Sequence, residues 1–223
     1  MSLTKQSLAK MIDQTLLKPF ASEQDFKLLC EKSKKYGFKM VAINPAVVKT
    51  CLKYLEGCDV LAGAAIGFPL GQNTIETKAF ETEDAIANGS GEIDYVINVG
   101  ELKNKNYAYI KREMETIVGI CKKHGVTSKV IFENCYLTDD EKVKLCEIAL
   151  EVGPDFIKTS TGFGTGGATL ADVKLMKSIV KDRIKVKASG GIRDLAYAKQ
   201  LIEAGVERIG TSCGVEIVDA LVE

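Results

Sequence analysis

A two-beat rhythm runs the length of the chain: a short apolar run, then an amphipathic segment. The apolar runs are Met11 to Gln14, Met40 to Ile43, Leu61 to Ile66, Ile93 to Ile97, Lys129 to Phe132, Phe156 to Lys158, Ile184 to Lys187 and Arg208 to Gly210. Most are continuously apolar rather than alternating, as strands covered on both faces should be. The first is the least regular, because Asp13 and Gln14 interrupt it. The segments between carry helix punctuation. Ser22 to Tyr36 stops at Gly37, the segment after Thr74 at Gly89, and the one after Asn106 at Gly125. Thr138 to Val152 stops at Gly153, and Asp194 to Ala204 at Gly205. A glycine just past a helix takes the left-handed cap conformation without a Cβ penalty. Thr138 and Glu141 make a capping box, with Leu145, Ile148, Ala149 and Val152 at helical spacing behind it. Strand followed by helix eight times over predicts a closed TIM (β/α)8 barrel with a short extra N-terminal helix. An open doubly wound sheet would bring a glycine-rich turn after its first strand, and Asp13 to Pro19 contains no glycine. Residues 1–223 are expected to form this single domain, a length that α/β barrels reach.

In such barrels the chemistry sits where strands end and helices begin. Those positions collect Asp13, Thr15, Asn44, Asp94, Asn98, Glu133, Lys158, Lys187 and Ser212. Lys158 and Lys187 close consecutive strands, and consecutive strands of a barrel are neighbours, so both amines should stand on one wall. Two ammonium groups a few Å apart disfavour each other. The more desolvated one then loses its proton below the ordinary lysine value of about 10.4. A neutral amine is a nucleophile for carbonyl carbon. Taken singly, each lysine is equally a strand-end charge pointing at water; the pair is what points to chemistry. Lys185 should face the same side as Lys187 two residues deeper, and is an alternative neighbour for it. Asp94, an acid inside an apolar run, needs a cation beside it. Lys187 is the expected one, as partner in a proton relay or in a structural salt bridge. Asp13 is expected to orient Lys187 or a bound hydroxyl. Phe68 and Pro69 either wall the pocket or belong to the core.

Gly190-Gly191 and the run Gly210-Thr211-Ser212-Cys213-Gly214 read as an anion cradle, where glycine lets the backbone approach a ligand closely. A helix starting near Ser212 would aim its free N–H groups at the same place. Loops after the seventh and eighth strands are the usual phosphate site of this architecture. Composition closes other routes. Lys plus Arg equals Asp plus Glu, at 30 each, which leaves no basic footprint for nucleic acid or for a membrane surface. There is no positively charged start followed by an apolar stretch, and no apolar run long enough to span a bilayer, so a cytoplasmic protein is expected. The seven cysteines include no C-x-x-C pair and read as reduced thiols. His124, the only histidine, precedes Gly125 at an apparent helix end and would alone have to support any histidine-based metal or nucleophile site.

The motifs together are similar to those of the deoxyribose-phosphate aldolase family, and the match spans essentially the whole chain. They run in family order: Asp13-x-Thr15-Leu16-Leu17-Lys18-Pro19, Asn44-Pro45, Gly67-Phe68-Pro69-Leu70-Gly71 and Glu92-Ile93-Asp94. Lys158-Thr159-Ser160-Thr161-Gly162-Phe163, Lys187-Ala188-Ser189-Gly190-Gly191-Ile192-Arg193 and Arg208-Ile209-Gly210-Thr211-Ser212 follow. The resemblance implies a metal-free class I aldolase that cleaves 2-deoxy-D-ribose 5-phosphate reversibly to D-glyceraldehyde 3-phosphate and acetaldehyde. It implies that Lys158 forms the Schiff base, that Lys187 lowers its pKa and helps shuttle protons, and that Asp94 acts with Lys187 as proton donor and acceptor. Gly162, Gly190, Gly191, Gly210 and Ser212 fall on phosphate-binding positions. Asp13, Thr15, Thr159 and Cys213 are expected beside them as substrate contacts. No cofactor beyond the lysine imine and no partner beyond a small sugar phosphate and further copies of the chain, as a dimer or larger, are implied. Three positions depart from the family pattern. Gln14 stands where many members carry histidine, Ala42 where many carry cysteine, and Cys213 where a second serine is usual. A thiol donates poorly, so phosphate contact at Cys213 would fall to its backbone N–H. Two other uses of such a cradle are open on the residues alone: an isomerase or synthase with Lys187 and Asp94 as acid and base, and a non-catalytic phosphosugar sensor.

Overall fold

The computed structural model, which describes residues 3–222, closes eight parallel strands into a barrel. Helix α1 (Lys5–Ala9) precedes β1 (Ile12–Thr15), and α2 (Glu23–Tyr36) leads to β2 (Met40–Ile43). Then come α3 (Val48–Leu55), β3 (Leu61–Ile66), α4 (Ile75–Ala87), β4 (Glu92–Val96), α5 (Val99–Lys103) and α6 (Tyr107–His124). The chain continues through β5 (Thr127–Ile131), α7 (Asp139–Val152), β6 (Phe156–Lys158), α8 (Leu170–Val180), β7 (Lys185–Ser189), α9 (Leu195–Glu203), β8 (Arg208–Thr211) and α10 (Gly214–Asp219). Each strand pairs with the next, and β8 closes onto β1 through Asp13 opposite Gly210.

The helix punctuation does what its chemistry predicts. Ser22, Thr74, Asn106, Thr138 and Asp194 each accept a backbone N–H three residues on. The Thr138–Glu141 capping box is present, and Gly37, Gly125 and Gly153 close their helices in the left-handed conformation. Helices α3 and α8 escape a reading of glycine stops, because α3 has no side-chain cap and its C-cap is Glu56, while the C-cap of α8 is Lys181. Helix α10 starts at Gly214, two residues beyond the expected Ser212. No helix among the described residues is long and apolar enough to cross a membrane.

The main core lies between barrel and helices. Ile93 and Tyr95 of β4, Val130 of β5, Ile157 of β6, Val186 and Ala188 of β7 and Ile209 of β8 join it from the strands. Alternation turns the residues between them inward. There this barrel differs from the aliphatic layers usual inside such folds. Its interior holds Asp13, Glu92, Asp94, Lys129, Lys158, Lys187 and Arg208, all buried. The charged inward position of Glu92 explains why β4 begins there rather than at Ile93. Strand β5 begins at Thr127, two residues ahead of its apolar run, and β1 retains Asp13 and Gln14.

Candidate active site

Register brings the charges together. Lys158 is opposite Lys187, Asp94 opposite Lys129, and Lys187 opposite Arg208. Six of the seven groups form a closed ring of alternating sign. Lys129 Nζ is 2.7 Å from Asp94 Oδ1 and also touches Glu92, and Arg208 bridges Glu92, at 3.0 Å, to Asp13. Lys187 Nζ then lies 2.5 Å from Asp13 Oδ2 and 2.6 Å from Asp94 Oδ2, completing the circuit. Lys158 stands outside the ring and joins it by one contact, with Nζ 2.7 Å from Asp94 Oδ2. The two amines therefore share one carboxylate oxygen. A Cβ at residue 210 would come within 2.9 Å of Ser189 Cβ and 3.2 Å of Lys187 Cε, so Gly210 gives Lys187 its room.

Burial is the largest influence on Lys158 and lowers its pKa; Lys187 and Lys129 push the same way and Asp94 opposes them. The result is an amine brought down to about 8. Burial alone would raise Asp94, yet Lys129, Lys158 and Lys187 hold its carboxyl well below the usual range. At neutral pH roughly a tenth of Lys158 is thus a free amine, against well under a thousandth for an ordinary lysine. Phe68 holds its ring 5.5 Å from Lys158 Nζ and lines the cleft above it.

That cleft, of about 510 Å³, opens at the C-terminal ends of the strands. Asp94 and Lys158 lie at its base, with Thr15, Ala42 and Phe68 along one side. Gly162, Gly190, Gly191, Gly210 and Ser212 form the other side, and Lys18, Lys32 and Arg193 also border it. Gly162, Gly190 and Gly191 have φ of 91°, 86° and 77°, a region that side chains with a Cβ avoid. Among the described residues, the N–H groups of Gly162, Gly190, Gly191 and Ser212 are given to no protein acceptor. Glu133 fixes the first of these loops: it accepts the Thr161 hydroxyl and, at 3.1 Å, the Thr161 N–H, and Thr161 Oγ1 accepts the Phe163 N–H. The arrangement suits a dianionic group at one end of the cleft and a carbonyl at the other. Among the described residues, no group of three or more His, Cys, Asp or Glu side chains is placed to hold a metal ion.

Residues 7–220 match the family described as DeoC/LacD family aldolase. The chain belongs to this family. The deoxyribose-phosphate aldolase of Lactobacillus acidophilus is 58% identical over 221 residues, covering 99% of this chain and 93% of its own. That of Bacteroides thetaiotaomicron is 57% identical over 222 residues, covering 100% and 93%. Among solved structures, the tetrameric deoxyribose phosphate aldolase of Aeropyrum pernix superposes with a TM-score of 0.90 at 33% identity, over 97% of this chain and 92% of that one.

This DeoC/LacD family barrel gathers Lys158, Lys187 and Asp94, and sets Thr15, Gly162, Gly190, Gly191, Gly210 and Ser212 along the cleft. Other expected contacts lie elsewhere. Asp13 sits below the cleft in the ring, fully buried. Thr159 is also fully buried, and its hydroxyl donates to the Ser189 carbonyl and accepts the Ser189 N–H, which secures β6 to β7. The Cys213 N–H, expected to be available, is donated to Thr211 Oγ1 at 2.9 Å. Lys185 is exposed at the opposite end of β7, its ammonium 5.5 Å from the Phe156 ring, and is no neighbour of Lys187. Asn98 caps α5, and Asn44 reaches the Leu17 carbonyl.

Sequence reasoning missed Lys129, Glu92 and Arg208. The signal available was period two: Glu92 and Asp94 alternate with apolar residues, and Lys129 and Arg208 open runs that were read as apolar. Gln14, which the sequence marks only as an interruption of the first run and a departure from the family pattern, clamps the cradle. Its Nε2 donates to the Ser212 carbonyl at 2.9 Å and its Oε1 accepts the Gly214 N–H at 3.0 Å.

Proposed function

We propose that this protein is a class I deoxyribose-phosphate aldolase whose imine forms on Lys158. The observation that carries the reading is a buried amine, lowered to about 8, at the base of a cleft that ends in a cradle of free backbone N–H groups. The open-chain sugar phosphate would lay its phosphate on Gly162, Gly190, Gly191, Gly210 and Ser212, with C1 at Lys158. The free amine adds to the C1 aldehyde, and loss of water with uptake of one proton, which is released again when the product imine is hydrolysed to free amine, leaves an iminium. The iminium draws the electrons of the C2–C3 bond as the C3 hydroxyl gives up its proton. C3 to C5 depart as glyceraldehyde 3-phosphate, and the enamine left on Lys158 takes a proton at C2 before water releases acetaldehyde. One proton leaves oxygen and one arrives at carbon, so the pair that moves them can be restored in each turnover. Asp94 and Lys187 are proposed for this role because Asp94 Oδ2 touches both amines. A carboxyl held so far below its usual range carries a proton only in transit. Residues 1–223 are proposed to act as one catalytic domain. The Aeropyrum relative is a tetramer, and a homo-oligomer is proposed here too, in the reducing cytoplasm to which free cysteines are suited.

Purified protein given deoxyribose 5-phosphate should release acetaldehyde and glyceraldehyde 3-phosphate in equal amounts in a coupled assay. Only the neutral amine reacts, so kcat/KM should fall about tenfold per pH unit below the Lys158 value. An isomerised sugar with no acetaldehyde would favour the isomerase reading, and binding without turnover the sensor. Gln14→Ala should raise KM for the phosphorylated substrate about 20- to 30-fold with little change in kcat, since about 1 kcal/mol for each of its two lost hydrogen bonds falls on the cradle alone. Turnover of unphosphorylated deoxyribose, assayed beside it, should not change.

A further inference from the structure

We propose that Glu92, Lys129 and Arg208 are positioning residues for the aldolase reaction: by completing a self-balanced ring with Asp13, Asp94 and Lys187, they leave Lys158 as the one cation of this buried cluster without a carboxylate of its own. The inference rests on the reading of Lys158 as the imine lysine and says how the barrel selects it. Each ring cation touches two carboxylates and each ring carboxylate touches two ring cations. Lys158 adds a third cation to Asp94 and touches no other acid in the cluster. Four cations thus face three carboxylates in a buried cluster that meets the cleft only at Lys158 and Asp94, and shedding one proton restores balance. The proton is most easily lost where the pairing is poorest, and that place is Lys158.

Lys18, Asp25, Lys32 and Arg193 border the cleft, but among the described residues no charged group outside the cluster forms an ion pair with it. Asp94 faces Lys158 from β4, Lys129 from β5 and Lys187 from β7, with Asp13 on β1, Arg208 on β8 and Glu92 deeper on β4 completing the circuit. Beyond β5, Glu133 is committed to Thr161. Strand β2 contributes Met40 and Ala42, and the loop after β3 contributes the Phe68 ring. Glu92, Lys129 and Arg208 lie below the cleft and do not line it, so they act through Asp94 and Lys187 rather than on a substrate.

The sign of each deletion follows. Lys129→Met removes a cation that shares Asp94, so Asp94 holds the Lys158 ammonium more firmly. Arg208→Met removes a cation across the ring and acts in the same direction. Glu92→Gln removes a negative charge and throws Lys129 onto Asp94, so Lys158 releases its proton more readily. Lys129→Met combined with Glu92→Gln deletes one charge of each sign and restores an excess of one cation. The readout is the pH midpoint for reductive methylation of Lys158 by formaldehyde and cyanoborohydride, followed by peptide mass on the full chain. It measures the neutral amine whether or not the protein turns over, so absence of aldolase activity would overturn the functional reading and leave this test standing. The midpoint should rise by about one pH unit or more in either cation deletion, fall in Glu92→Gln, and return to the parent value in the double variant. Unmoved midpoints in folded single variants, or a double variant displaced as far as the singles, would overturn the proposal. Should the unpaired charge prevent one single variant from folding, the midpoint of either remaining single variant still decides, because each must move in its stated direction.

Discussion

Lys158→Met is expected to lose turnover by about four orders of magnitude or more while leaving the fold more stable. The loss follows from removing the only atom placed to form the imine; groups that act as one catalytic unit typically fail together when the nucleophile goes. The gain follows from the amine's position outside the ring. A lysine at about 8 in the folded state and about 10.4 when unfolded binds fewer protons folded than unfolded between those values. Stability therefore rises with pH across that window, and the native state bears the full burden below it. The difference corresponds to about 3 kcal/mol at neutral pH, which methionine, similar in length and uncharged, would remove. For a chain of this size that is about 5–10 °C in Tm. Thermal unfolding of both proteins at pH 7 and above pH 10.5 reads it: a clear separation at the lower pH should close at the higher one.

Asp94→Asn is expected to act in the opposite sense on stability and to divide the reaction in two. Asp94 takes contacts from Lys129, Lys158 and Lys187 together, and an amide would leave these three and Arg208 with only two carboxylates, Asp13 and Glu92. Breaking a buried pair from one side costs about 3–5 kcal/mol, so a fall in Tm of about 10 °C is expected. The same change removes the group that opposes deprotonation of Lys158, so its amine should become free at lower pH. Imine formation should survive, and proton transfer should not. Turnover is expected to drop by about 10²–10⁴ while Lys158 still accepts an aldehyde that borohydride can reduce. Single-turnover kinetics with reductive trapping would separate the two effects.

The barrel was legible because its signals are local. Capping residues such as Thr138 and Ser22 act within one helical turn, and the apolar faces of strands such as Phe156–Lys158 need no distant partner to be recognised. The catalytic layer was legible for a related reason: Lys158 and Lys187 close consecutive strands, and adjacency in sequence becomes adjacency in a closed parallel sheet. The ring was not. Arg208 meets Glu92 and Asp13 across the barrel, over sequence separations of 116 and 195 residues, and only closure of β8 onto β1 creates those contacts. Thr159 shows the converse. It stands next to Lys158 in sequence, and alternation alone turns it away from the cleft into a bond between strands. Gln14 could not be read as a clamp without α10 starting at Gly214, where no side-chain cap marks the helix.

The central claim is that Lys158, and not Lys187, carries the substrate. Incubation of the active protein with acetaldehyde and borohydride, followed by proteolysis and peptide mass analysis, tests it most directly. The account predicts one reduced ethyl group on the peptide containing Lys158, with adduct yield rising as pH passes through about 8. An adduct on Lys187 instead, or none in protein that still cleaves deoxyribose 5-phosphate, would contradict it.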